Sequence, residues 1–123
     1  MKSGDNRISR LKRIEQIRRV EKQVSLAEVA HAECALSTIQ LLASRIDQLA
    51  KAYDFRTDAS DGYALRQQLT FSGAIRRASQ ETSTSAHAAA DVADQKRRIL
   101  EMNEKRQSAV SDARVRAQRD QKT

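Results

Sequence analysis

Apolar residues recur along this chain at intervals of three and four. Leu36, Ile39, Leu42, Ile46, Leu49 and Tyr53 step by 3, 3, 4, 3 and 4, which lines one side of a helix with a coiled-coil-like seam. A second series, Phe71, Ile75, Ala78, Thr82, Ala86, Ala89 and Val92, steps by 4, 3, 4, 4, 3 and 3, and Ile99, Val110, Ala113 and Ala117 extend it more weakly. Between the two series lie Thr57, Asp58, Ala59, Ser60, Asp61 and Gly62, small polar residues that compete for backbone hydrogen bonds and favour turns or helix caps. Gly62 is the middle residue of the chain. The spacing predicts an all-α fold, an antiparallel two-helix coiled-coil hairpin forming one domain. Its expected parts are a helix over about 6–57, a turn over about 58–62 and a helix over about 63–119.

The absence of helix breakers supports these lengths. The sequence has no proline, and its three glycines are Gly4, Gly62 and Gly73, whereas average usage would supply roughly six prolines. Pro costs about 3 kcal/mol in a helix interior and Gly about 1, so helix is expected almost everywhere else. There are four aromatics and no Trp, and Ala supplies much of the apolar fraction. A thick core cannot be built from such material, but a thin seam between two helices can. Ala and Thr in the second stripe imply close approach of the helices and modest stabilisation.

Two features exceed what a helix pair needs. Ile8, Leu11, Ile14, Ile17 and Val20 repeat every three residues, and each step falls about 60° short of a full turn, so the apolar line winds around the helix. A single partner helix cannot cover it. Either a few aliphatics stay exposed without consequence, or another protein buries them. Tyr53, Phe55, Tyr63 and Phe71 fall near the expected hairpin end, where aromatics could plug the turn or meet a partner.

Charge changes the picture by giving the two ends different chemistry. Residues 1–22 carry +5, residues 23–95 carry −3 and residues 96–123 carry +5. A hairpin centred on Gly62 brings both basic segments together and implies an acidic, ring-shaped or cleft-like partner. Nucleic acid is the competing partner class, with Arg7, Arg10, Lys12, Arg13, Arg18, Arg19 and Lys22 to contact phosphates, and a structural hairpin of another complex is the third reading. Interleaved carboxylates and the lack of an aromatic platform in the basic segments count against it. Glu28, His31 and Cys34 stand at i, i+3 and i+6, and His87 could approach them. The paired Cys or His spacing of zinc sites is missing, so no metal is expected. No phosphate loop or catalytic triad is present, and two helices offer no concave pocket. Neither an enzyme, a cofactor nor a small-molecule substrate is expected. No apolar run of about 18 residues or secretory h-region occurs, and the single Cys34 forms no internal disulfide, so a cytoplasmic location is the default.

Several segments resemble a known family. Arg10-Leu11-Lys12-Arg13-Ile14, Ile17-Arg18-Arg19-Val20-Glu21-Lys22, Arg45-Ile46-Asp47-Gln48-Leu49, Tyr53 before the small-residue turn, and Asp61-Gly62 leading to Leu65-Arg66 and Phe71 are similar to the FliJ-like flagellar export proteins and to stalk proteins of type III secretion. The resemblance spans nearly the whole chain and consists of coiled-coil-like positions. It implies an antiparallel coiled coil shaped like the central stalk of rotary ATPases. The paired termini would enter a FliI-like export ATPase hexamer, and the other end would reach the cytoplasmic ring of a FlhA-like export gate. Export chaperones would be further partners, and the location would be peripheral at the inner-membrane face. The family's gate patch has Gln, Leu, Tyr and Tyr on the first helix, and Phe, Leu, Ala and His on the second. The matching positions are Leu42, Ile46, Leu49 and Tyr53, and Phe71, Ile75, Ala78 and Thr82. Tyr53, Phe71 and Ala78 keep the residue type, whereas the Gln and His are replaced. For the ATPase end the expected contacts are Ile8, Arg10, Leu11, Arg13, Ile14, Ile17, Arg18, Arg114 and Arg116.

Overall fold

The computed structural model describes residues 2–54 and 61–122. Helix α1 runs Lys2–Asp54 and helix α2 runs Gly62–Lys122. They pack against each other as an all-α antiparallel hairpin, and both extend beyond the expected limits by a few residues at their outer ends. The start of α2 has a local cause. Asp61 is its N-cap, accepting a hydrogen bond from the Ala64 backbone N–H at 2.7 Å on its carboxylate and one from Leu65 N–H at 3.1 Å on its carbonyl. Gly62, expected to close the turn, is instead the first residue of α2. The rest of the expected turn, and Phe55, lie outside the described residues.

The chain divides into two units. The central unit, residues 32–93, has a seam built from small side chains. On α1 its covered positions are Ala32, Leu36, Ile39, Ala43, Ile46, Ala50 and Tyr53, in strict steps of 4 and 3. Ile39, Ile46 and Tyr53 are as expected, but Leu42 and Leu49 are 51% and 48% exposed. Continuity decides this. After Ala32 and Leu36 a step of 3 reaches Ile39, and the heptad then requires a step of 4 to Ala43; two steps of 3 would turn Leu42 off the seam. On α2 the same rule covers Ala86, Ala89 and Ala93 and exposes Val92. Ala93 has no exposed surface, as close helix approach allows.

The terminal unit, residues 1–31 with 94–123, keeps the heptad and changes its chemistry. Its covered α1 positions include Ile8, Leu11, Glu15, Arg18, Lys22, Ser25 and Val29; those on α2 include Lys96, Leu100, Asn103, Gln107, Val110, Arg114 and Ala117. Polar side chains occupy the centre of this seam. Leu100 takes the place expected for Ile99, which is 39% exposed. Register is read from cross-helix bonds. Asp5 with Gln121, Glu15 with Ser111, Ser25 with Asn103 and Glu28 with Lys96 have midpoints at residues 62–64, close to the fold-back expected at Gly62.

Candidate protein-binding surfaces

The terminal unit is organised around one carboxylate. Glu15 is 4% exposed because the α1 heptad, stepping 4 from Leu11, turns it into the seam. Its carboxylate accepts hydrogen bonds from Arg114 Nε, from Arg19 at 2.9 Å and from the Ser111 hydroxyl at 3.0 Å. The Arg114 hydrogen bond is the main force holding the Glu15 pKa below its usual value; burial opposes it, and Ser111 and the charges of Arg114 and Arg19 add to it. A shallow groove lined by Lys12, Glu15, Gln16, Arg19 and Arg114 opens beside the cluster. About three turns on, Asn103 donates to the Ser25 hydroxyl at 2.5 Å, with both residues buried, and Lys96 pairs with Glu28 at 3.1 Å nearer the surface.

The residues expected at the ATPase end separate into two groups. Ile8 is buried, Leu11 and Ile14 are half-buried, and Arg114 is committed to Glu15, so these belong to the seam. Arg10, Arg13, Ile17 and Arg116 are exposed. Arg18 bridges the groups: its stem covers the seam, Nη1 donates to Glu21 at 2.9 Å, and Nε is buried without a partner. Val20 and Val24, like Ile17, are more than half exposed, so the helix pair leaves part of the winding apolar line uncovered.

The central unit presents a different surface. The Tyr53 and Phe71 rings stack at a centroid distance of 4.4 Å, tilted by 35°. Such a pair adds about 0.5–1.5 kcal/mol to the area it buries, yet Phe71 keeps 43% of its surface exposed. Leu42 and Leu49 are exposed, Ile46 and Ala78 are half-buried, and Ile75 and Thr82 face the seam. Thr82 satisfies its hydroxyl by donating to the Ala78 carbonyl at 2.6 Å. Tyr63 is 71% exposed and accepts a hydrogen bond from Gln67.

Sequence reasoning named Leu65 only within the resemblance and missed Leu69, exposed one helical turn beyond it; their i, i+4 spacing off the seam was the available signal. It also missed Glu15 and Asn103, for which the signal was a polar residue at a heptad core position. His31, Cys34 and His87 are exposed and Glu28 is paired with Lys96. Among the described residues no group of three or more His, Cys, Asp or Glu could hold a metal ion. No described helix is long and apolar enough to cross a membrane. No family model, curated protein or solved structure matches the chain.

Proposed function

We propose that this chain is a non-enzymatic stalk or adaptor of a flagellar type III protein export apparatus, coupling a FliI-like ATPase hexamer to a FlhA-like export gate at the cytoplasmic face of the inner membrane. The carrying observation is the Tyr53–Phe71 pair, stacked and still accessible, at two positions where the resemblance expects the gate patch. Leu42 and Leu49, displaced from the seam by the heptad, add apolar surface from the same patch. The basic segments 1–22 and 96–123 both fall in the terminal unit, supporting an acidic ring as its partner. Export chaperones are further candidate partners.

Two measurements test this reading. Purified chain should raise the hydrolysis rate of an export ATPase. Phe71→Ala should weaken binding to the cytoplasmic ring of an export gate while far-UV helicity stays nearly intact. Collapse of helicity would make Phe71 a structural plug, and loss of both effects would remove the export reading. A second reading, a nucleic-acid-associated coiled coil, is favoured by the exposed Arg7, Arg10, Lys12 and Arg13. Duplex DNA binding that falls steeply with salt, without ATPase stimulation, would select it.

A further inference from the structure

One side of α1 in the terminal unit has no cover. Ile17, Val20 and Val24 are 57%, 54% and 53% exposed. Scattered exposed aliphatics are ordinary, but these three follow the heptad steps of 3 and 4. At about 100° per residue they lie within about 60° of one another, and roughly opposite Leu11, Glu15 and Lys22 in the seam. Arg10 and Arg13 fall in the same sector and are exposed. The side is therefore a second stripe, apolar in its later turns and basic in its first.

Folding sharpens its charge. The sequence interleaves Glu15 and Glu21 with the cations, which would dilute the field if all stood in water. In the folded chain Glu15 is buried against Arg114 and Arg19, and Glu21 is paired with Arg18 at 2.9 Å. Arg7, Arg10, Lys12 and Arg13 enter no ion pair with a described residue. Glu28, one turn past Val24, is exposed but paired with Lys96 at 3.1 Å, so the charge beside the aliphatic stripe that has no ion-pair partner among the described residues is cationic.

We infer that this face docks an acidic amphipathic helix of another protein, its aliphatic stripe lying on Ile17, Val20 and Val24 and its carboxylates meeting Arg10 and Arg13. Heptad spacing matches a helix laid alongside as a third strand. Branched aliphatics offer nothing to a phosphate backbone and no aromatic here stacks on bases, so protein is favoured over nucleic acid. A second copy of this chain would bring the same cations to the face. This inference stands apart from the export reading, since it depends on the stripe and not on which complex supplies the helix.

The test uses the full chain and a fluorescein-labelled synthetic peptide of about four heptads, with Ile and Leu at a and d and Glu at e and g, kept monomeric by its own charge. Fluorescence anisotropy should show saturable binding. Changing Ile17, Val20 and Val24 together to Ser should weaken it at least about tenfold with far-UV helicity and Tm unchanged. Arg10→Gln with Arg13→Gln should also weaken it and flatten its salt dependence. Equal binding by the triple Ser variant, or by a peptide with Ser at a and d, would overturn the inference, because charge alone would then suffice. So would absent peptide binding beside duplex DNA binding that the triple variant retains. Self-association of the chain that the triple variant abolishes would replace the partner helix with a second copy.

Discussion

Asn103 donates its side-chain amide to the Ser25 hydroxyl at 2.5 Å, inside a seam where both residues are less than a tenth exposed. Such a pair contributes little net energy when made and costs more when broken, because a buried amide without a partner keeps its desolvation penalty. Ser25→Ala should lower stability by about 1–2 kcal/mol, whereas Ser25→Ala with Asn103→Leu should recover most of the loss. Thermal unfolding followed by circular dichroism, arranged as a double-mutant cycle, measures the coupling. Additive losses would show that the bond contributes nothing specific.

Glu15 should make the hairpin acid-sensitive. Its folded pKa is depressed, chiefly by the Arg114 hydrogen bond, so its contribution is complete above the unfolded value of about 4.3. The contribution is lost as pH falls through the lower folded value. Stability measured by urea unfolding should therefore drop below about pH 4.3, and Glu15→Gln should remove this part of the drop while lowering stability at neutral pH. With only two helices around it and Arg114 and Arg19 partly solvated, the neutral-pH loss should stay below the roughly 3 kcal/mol at which losses from broken buried pairs begin.

Two substitutions should move α2 in opposite directions. A Cβ on Gly73 meets nothing within 4 Å and the backbone there is helical, so Gly73→Ala should raise stability by about 1 kcal/mol. Asp61→Ala removes the cap on Ala64 N–H and should cost about 1 kcal/mol. Both are readable as Tm shifts.

The heptad correction also predicts which aliphatics hold the central unit together. Ile75 is 7% exposed, and Ile75→Ala should cost about 2–3 kcal/mol. Leu42→Ala and Leu49→Ala should each stay within about 0.5 kcal/mol of the parent chain. Urea midpoints for the three variants would decide it; a large loss at Leu42 would restore the seam expected from hydrophobicity alone.

Much of this fold was legible because helix formation is local. The missing prolines, the long helix-forming stretches and the polar break at residues 57–62 act through near neighbours, and they foretold two helices and where they part. Ile39, Ile46, Tyr53 and Ile75 could be placed on the seam because their spacing fits the helical period in either register. Hydrophobicity then misled at Leu42, Leu49, Val92 and Ile99. A seam is chosen by unbroken periodicity and by how closely two backbones can approach, so Ala43, Ala50 and Ala93 fill positions that larger neighbours appeared to claim. The candidate surfaces divided in the same way. Arg10 and Arg13 were named from the sequence as basic contact candidates, but the winding apolar line at residues 8–20 defines no seam there, and their exposure follows from the structure. That Arg114 turns inward to Glu15, leaving a cationic face beside Ile17 and Val20, was decided only when residues 99 positions apart in sequence came into contact. Local periodicity carries no information about such a pair.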